Sequence, residues 1–306
     1  MGVIGIDTSN YTTSIAFFDG TGGENCSKLL PVKSGELGLR QSDAVFAHIK
    51  SLPELSGRLF SHVRDEIRAV GVSTRPRAVE GSYMPCFLVG LSHATLLSNA
   101  LHVPLVEVSH QQGHVTASLW SAGHLELMDA PHLAWHLSGG TTELLLVEPE
   151  GKLVKCTKIG GTTDISAGQL IDRTGQLLGL PFPSGKHLDA LSRAAAGKDF
   201  FRVKCKDMTF SFSGMQNKVQ QYFEANGDPA ETAAYALRCV AYGVFHATQQ
   251  ALKAYPGLPV VFSGGVASNT LLRQVLEPLD PIFAQPQYST DNAMGVAVLA
   301  SRCTEV

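Results

Sequence analysis

Trp135-His136-Leu137-Ser138-Gly139-Gly140-Thr141-Thr142-Glu143-Leu144-Leu145-Leu146-Val147 places a small polar turn between two apolar runs, residues 132–137 and 144–147. Apolar runs this short, bounded by glycine, are of strand length. Two glycines in the turn let backbone N–H groups approach a ligand closely, and the flanking hydroxyls add donors. That suits a phosphate or another anion, although an ordinary hairpin turn has the same pattern. The stretch gains weight because it occurs twice. Ile4-Gly5-Ile6-Asp7-Thr8-Ser9-Asn10-Tyr11-Thr12-Thr13-Ser14-Ile15-Ala16-Phe17-Phe18 has the same order: apolar run, small polar turn, Thr-Thr, apolar run. Two equivalent turns predict two similar lobes facing one ligand.

A chain of 306 residues exceeds what a single core usually fills, so two lobes are the default. With 44% hydrophobic and 17% charged residues it reads as a folded soluble protein, not a disordered one. A net charge of −3 gives no overall electrostatic footprint for nucleic acid, so an RNA substrate would need a local patch or a partner protein. The six cysteines are scattered without a C-x-x-C pair and read as reduced residues, not ligands or nucleophiles. The chain opens on an apolar strand without the features of an export signal, and no uncharged stretch reaches membrane-spanning length. The expectation is a cytoplasmic protein.

Outward from the two turns, residues 3–6 and 14–18 read as a hairpin, with a third strand near 27–31. Residues 43–70 carry apolar positions at helical intervals, with Pro53 marking a break, and 69–73 form a strand. Residues 83–101 are apolar on nearly every face and read as a buried helix, followed by a strand at 104–108. The second half repeats the scheme with strands at 132–137, 143–148 and 153–159. A helix from Asp164 then ends at Gly179 before Pro181 and Pro183. Further helices are expected at 186–196, 229–255, 269–276 and 291–303, a strand at 259–262, and an interrupting Ser/Phe-rich segment at 210–214. Lobes that open as βββ and continue α-β-α fit the α/β, two-lobed architecture of actin-like ATPases, sugar kinases and heat-shock ATPases. The expected division is 1–128 with a closing helix at 291–306, and 129–290.

Ser109-His110-Gln111-Gln112-Gly113-His114 places two histidines at i and i+4, on one face of a helix that Ser109 can cap. Two imidazoles leave a transition metal under-ligated, so a carboxylate must come from elsewhere, and Asp291 in Thr290-Asp291-Asn292 is the candidate. Two surface histidines would show the same spacing. Ser263-Gly264-Gly265-Val266-Ala267-Ser268-Asn269 is a strand end, a glycine turn and a helix start, suited to a phosphate or a nucleoside edge or to a plain β-α connection. Asp172 and, in Pro183-Ser184-Gly185-Lys186-His187-Leu188-Asp189, the carboxylate of Asp189 can hold a ribose hydroxyl or be solvated helix residues. His136 and His187 have no spacing partner and read as structural. No residue is assigned a catalytic role on sequence grounds. There is no hydrolase elbow, Walker loop or GxGxxG.

Taken in order, Leu137-Ser138-Gly139-Gly140-Thr141, Ile171-Asp172-Arg173 with Leu178-Gly179-Leu180-Pro181, Phe210-Ser211-Phe212-Ser213-Gly214, the 263–269 segment and Thr290-Asp291-Asn292-Ala293 resemble the universal tRNA threonylcarbamoyladenosine transferase family, long labelled O-sialoglycoprotein endopeptidase. The resemblance runs nearly end to end. It implies an enzyme that binds threonylcarbamoyl-AMP between its lobes and passes the threonylcarbamoyl group to N6 of adenosine 37 in tRNA. It also implies one divalent metal, iron or zinc, on His110, His114 and Asp291, and an adenylate or ATP-type nucleotide as ligand. Ser138, Gly139, Gly140, Thr141 and Thr142 would face the metal and the acyl part, Asp172, Gly185 and Asp189 the ribose, and Asn269 the adenosine. tRNA would arrive through partner subunits, and a related chain of the family would pair with this one as a heterodimer or homodimer, with no membrane involved.

The chain departs from the family pattern at three places. Gln112 replaces the glutamate of the metal segment, Tyr11-Thr12 replaces an Asp-Glu pair in the first turn, and Arg75-Pro76-Arg77 replaces Gly-Pro-Gly. The lost acids remove the obvious general base, so the alternative is a divergent paralogue, a non-catalytic nucleotide-binding or assembly partner. Without a glutamate between the two histidines, the base of a zinc peptidase is missing, which argues against peptidase activity.

Overall fold

The computed structural model describes residues 1–30 and 39–304. The chain forms two compact units, one of Met1–Ala130, Glu148–Cys156 and Asp291–Val306 and one of Pro131–Val147 and Thr157–Thr290.

The first unit opens as a meander, β1 (Gly2–Thr8), β2 (Thr12–Phe18) and β3 (Gly23–Leu29), and adds β4 (Ile67–Arg75) and β5 (Leu105–Ser109) in the order β3-β2-β1-β4-β5. β1 pairs antiparallel with β2 and parallel with β4, and β4 pairs parallel with β5. Every residue of β1 and β2 is buried, as befits central strands covered on both faces, whereas β3 is mostly exposed. The expected third strand thus exists slightly earlier, and its Pro31 end lies outside the described residues. The core joins Ile4, Ile6, Ile15, Val70 and Val72 of the strands to Leu52, Leu55 and Leu59 of α1 (Gln41–His62) and Val89 of α2 (Phe87–Leu101).

Two expectations fail on these helices. α1 runs unbroken through Pro53. Pro53 lies on its exposed side, so the carbonyl that loses its donor can turn to water while Leu52 and Leu55 stay packed. α2 is not buried on every face, since Leu88 and Leu96 are 50% and 71% exposed. Only one side of it covers the sheet.

In the second unit, β6 (His132–Leu137), β7 (Thr142–Glu150), β8 (Leu153–Thr162), β9 (Cys205–Lys206), β10 (Thr209–Phe210), β11 (Val260–Ser263) and β12 (Pro281–Phe283) make one sheet in the order β12-β11-β6-β7-β8-β10-β9. Read from β8 to β12, this is the order of the first sheet, with β9 and β10 added at one edge. β6 again pairs antiparallel with the next strand and parallel with β11, so both expected hairpins are present. Around the sheet lie α4 (Ala167–Leu177), α5 (Gly185–Ser192), α6 (Ser213–Asn226), α7 (Pro229–Ala254) and α8 (Thr270–Leu276). α7 is capped by Asp228, begins with proline at its first turn, and buries an alanine-rich face against Trp135, Phe210 and Phe262. The segment at 210–214 turns out to be the end of β10 and the start of α6, an element with no residue of its own to cap it. Asp164, 48 residues upstream, accepts from the Phe212 N–H instead.

The remaining helices, α3 (His110–Ala122) and α9 (Met294–Thr304), belong to the first unit. All six cysteines are free thiols. No helix among the described residues is long and apolar enough to cross a membrane.

Candidate functional site

β1, β4 and β5 are parallel, and their carboxyl ends deliver Asp7, Ser73 and the start of α3 to one place. Ser109 caps α3 in a capping box with Gln112, so the helix begins at His110, and His114 follows one turn later on the same face. The segment 290–293 that leads into α9 brings Asp291 to the pair. His114 Nε2 lies 2.9 Å from His110 Nε2 and 3.0 Å from Asp291 Oδ1, and His110 Nε2 lies 3.7 Å from that oxygen. Metal–ligand bonds of about 2.0–2.1 Å in a tetrahedral arrangement place donor atoms roughly 3.3 Å apart. Two imidazole nitrogens and a carboxylate oxygen at this separation therefore fit a zinc or iron ion with a position left open.

The groups behind these donors support that reading. Asp7 is fully buried; its carboxylate accepts from the Ser73 hydroxyl and from His110 Nδ1–H, at 3.0 and 3.1 Å to its two oxygens. A proton held on Nδ1 leaves the Nε2 lone pair of His110 aimed at the centre. Ser9 donates to Asp291 Oδ2 at 3.0 Å, which orients the other oxygen. Ser9 is itself fixed by His48, fully buried on α1, whose Nε2–H donates to the Ser9 carbonyl at 2.8 Å while Nδ1 accepts from the Thr13 hydroxyl at 2.7 Å. Burial lowers the pKa of His48, which favours the neutral ring in which Nδ1 accepts. Without a metal, burial works against charge on His110, yet Asp7 and then Asp291 push it up to about 9. Burial likewise opposes charge on Asp291, and the His114 hydrogen bond, the two imidazoles and Ser9 hold it far below the usual carboxylate range.

The three departures acquire structural meanings. Gln112 is buried, accepts from the Ser109 N–H at 2.9 Å and donates to the Val154 carbonyl at 2.8 Å. A glutamate could make the first bond but, ionised, not the second. Tyr11 is exposed and Thr12 is buried in β2, so Asp7 is the carboxylate that the first hairpin supplies to this centre. Pro76, between the two arginines, accepts from the Gln111 N–H at 3.0 Å and so joins that loop to the head of α3.

In the second unit, the Ser138 to Thr142 turn is closed by the Ser138 N–H to Thr141 carbonyl bond of 2.8 Å and by the Thr141 N–H on Ser138 Oγ at 3.0 Å. The amino end of α4 packs on it: Ser166 Oγ donates to the Gly139 carbonyl, and the Ala167 N–H donates to Thr142 Oγ1 at 2.8 Å. A Cβ on Gly168 would sit 2.5 Å from Gly139 Cα, so only glycine permits this approach. The outer side of the turn is open. Gly139 and Gly140 are exposed, no atom would lie within 4 Å of a Cβ on either, and among the described residues no acceptor meets their N–H groups. A helix amino end beside free N–H groups is a place for an anion.

The other candidates fall into two groups in this unit. Asp172 accepts from the Ser184 N–H at 2.8 Å, next to Gly185 at the start of α5, and burial raises its pKa despite that bond. Asp189 accepts from the N–H and hydroxyl of Thr270 at 2.9 and 2.7 Å and pairs with Arg193, while Asn269 caps α8 through the Leu272 N–H. Asp189 and Asn269 thus hold the same helix end, just beyond β11.

Asp7, Ser9, Ser73 and His48 belong to no motif that marks them in the sequence. The available signal was an acid at the carboxyl end of an apolar central strand, where α/β proteins place ligand groups.

A family model described as TsaD, tRNA N6-adenosine threonylcarbamoyltransferase, matches residues 42–298. A tRNA N6-adenosine threonylcarbamoyltransferase of Carboxydothermus hydrogenoformans is 31% identical over 96% of this chain and 90% of its own length. One from Thermosipho africanus is 30% identical over 97% and 92%. Among solved structures, full-length HypF in a phosphate- and nucleotide-bound form superposes with a TM-score of 0.62 at 15% identity, over all of this chain and 47% of that one. A ROK family glucokinase of Streptomyces griseus in complex with glucose and AMPPNP gives 0.55 at 11% identity, over 99% of this chain and 100% of its own. These two show the shared fold, that of the actin-like and sugar-kinase proteins.

Proposed function

The chain belongs to the tRNA N6-adenosine threonylcarbamoyltransferase family, and from that premise we propose that it transfers a threonylcarbamoyl group from threonylcarbamoyl-AMP to N6 of adenosine 37 in tRNA. In this reaction the new C–N bond forms at the carbamoyl carbon as its bond to the phosphate oxygen breaks. AMP leaves, and the amine gives up a proton. The observation that carries the reading is the convergence of His110, His114 and Asp291, with Asp7 fixing the tautomer of His110.

A divalent ion held there, iron or zinc, would polarise a carbonyl oxygen or hold a phosphate oxygen. The protein's own part is to fix the donors: Asp7 and Ser73 orient His110, and Ser9 orients Asp291. In the second unit we assign the free N–H groups of Gly139 and Gly140, with Ser138, Thr141, Thr142 and the amino end of α4, to the anionic part of the adenylate. Asp172 beside Gly185, together with Asp189 and Asn269, are assigned to its nucleoside. Of these, Asp172 has the more available carboxylate, because Asp189 already serves Thr270 and Arg193.

A cytoplasmic location belongs to the same reading, as does delivery of tRNA with partner subunits. The outward apolar faces of α1 and α2, with Phe46 60%, Ile49 49% and Leu96 71% exposed, support pairing with a related chain of the family. The loss of acids at Tyr11 and Thr12 supports the second reading, a non-reacting assembly partner on the same fold.

The test is transfer from labelled threonylcarbamoyl-AMP to unmodified tRNA, with the partner subunits present and a working relative as control. Labelled tRNA that disappears in a His110→Ala/His114→Ala variant, together with one metal per chain lost in that variant, is expected. No product beside an active control, with the chain co-purifying with a relative, would select the assembly reading.

A further inference from the structure

Between α5 and β9, residues 195–204 have no repeating structure and lie along α7 as a strap. α7 holds it by the backbone. Glu231 accepts from the N–H groups of Ala196 and Gly197 at 2.7 and 2.8 Å, and Cys239 Sγ accepts from the Phe201 N–H at 3.2 Å. Arg238 donates to the Asp199 carbonyl at 3.4 Å, and the Gln250 amide bridges the Met208 N–H and the Cys205 carbonyl. Of its side chains Val203 is buried, while Lys198, Phe200, Phe201, Arg202 and Lys204 are exposed, as is Lys206 of β9 directly after it.

Residues 198–206 hold four cations and one acid, Asp199, so this stretch carries +3 in a chain whose net charge is −3. Among the described residues none of those four cations makes a salt bridge. Phe200 stacks on Tyr242 of α7, with ring centres 4.0 Å apart and planes within 12°, and Phe245 and His246 continue the aromatic row. Lys218 of α6 adds a cation 5.7 Å from the Phe201 ring. A backbone pinned to α7, with partly exposed aromatic rings and unpaired cations along it, combines what single-stranded nucleic acid needs. Cations track the phosphates, and flat rings stack on bases without choosing among them.

We propose that this strap is an RNA-contacting surface that engages unpaired nucleotides of the tRNA substrate. The proposal rests on the tRNA reading above and adds the surface through which this chain itself would hold that RNA. The strap also explains how a chain with an acidic balance could contact a polyanion.

The test is fluorescence anisotropy of the full chain with labelled unmodified tRNA and with labelled oligouridylate, titrated over a range of salt. The variants are Arg202→Glu/Lys204→Glu/Lys206→Glu and Phe200→Ala/Phe201→Ala, each checked for an unchanged far-UV spectrum. Single-stranded binding changes by about 0.7 log units per log unit of salt for each phosphate neutralised, so the triple variant should flatten the salt slope by about two and weaken binding at least 10-fold. The phenylalanine variant should weaken binding roughly 10-fold with its salt slope retained. Unchanged affinity and slope in the charge-reversed variant overturns the proposal. So does an unaltered chain that binds no RNA, or one that binds anionic phosphatidylserine vesicles through these residues while RNA binding ignores them. Transfer activity with RNA affinity unmoved by charge reversal would sink the strap and keep the activity. RNA binding lost on charge reversal, in a chain that transfers nothing, would do the opposite.

Discussion

Asp7 is a fully buried carboxylate whose polar neighbours are the Ser73 hydroxyl and His110 Nδ1. Asp7→Asn keeps the volume but offers the imidazole an amide that can hold it in either tautomer. Affinity for zinc, read by titration calorimetry against the unaltered chain, should fall about 10–100-fold, the usual cost of removing such an outer partner. Unchanged affinity would mean that packing alone orients His110. Gln112 makes the reverse case. Gln112→Glu replaces an N–H donor to Val154 with a carboxylate facing a carbonyl in a buried place, and urea unfolding should show a loss of about 1–3 kcal/mol. Equal midpoints would show the Val154 bond to be dispensable. The spacing of His110 and His114 was legible because a helix turns them to one side, and the Gly-Gly turn because its residues are local. Asp7 was not, because between Ile6 and Thr8 an acid at the end of a strand resembles any turn residue until β4 and α3 are placed beside it.

α9 decides whether His110, His114 and Asp291, the proposed metal ligands, meet. It packs on β1, β4 and α3 through small residues, and a Cβ on Gly295 would stand 1.9 Å from the Gly113 carbonyl, a backbone atom that has nowhere to go. Gly295→Val should therefore cost about 3 kcal/mol or more and displace Asp291, so that bound metal is lost together with stability. Metal analysis showing full occupancy in the folded variant would refute the coupling. The start of α6 offers a second check. Burial disfavours charge on Asp164, but the Ser211 and Ser213 hydroxyls and the N–H groups of Phe212 and Ser213 bring its pKa down to about 2. A carboxylate depressed on folding stabilises the protein above its unfolded value of 3.8 and ceases to do so as pH falls through its folded value. The stability gap between the unaltered chain and Asp164→Asn, measured by urea midpoints, should thus be widest near neutrality and close between about pH 4 and pH 2. A gap independent of pH would show that the effect is steric. This cap joins residues far apart in sequence, which is why α6 escaped detection while α7, capped locally by Asp228 and Pro229, did not. Pro53 misled for a related reason, since only the packing of Leu52 and Leu55 shows that the helix continues.

The two sheets share one strand order, and that much was visible in a polar turn that recurs between apolar runs. The short strands β9 and β10 were not visible, because two residues each carry no alternation to read. Each unit also has a core of its own, one around Ile4, Leu55 and Val70 and the other around Trp135, Phe262 and Val244. Separate cores make separate cooperative units the physical expectation, and every donor of the proposed metal centre, with Asp7, Ser9 and Ser73 behind it, comes from the first. Binding to the native state alone stabilises by the mass-action term, about 2.7 kcal/mol when free zinc is 100 times its dissociation constant. Hydrogen exchange of the most protected amides in β1, β4 and α3 should then slow roughly 100-fold on adding zinc, while those of α7 and β11 keep their rates. Equal slowing in both sets would show that the chain opens as a single unit. No slowing in either would remove the ion from His110, His114 and Asp291. In the His110→Ala/His114→Ala variant the zinc effect should vanish from β1, β4 and α3 without altering α7, which separates loss of the ligand from loss of the fold.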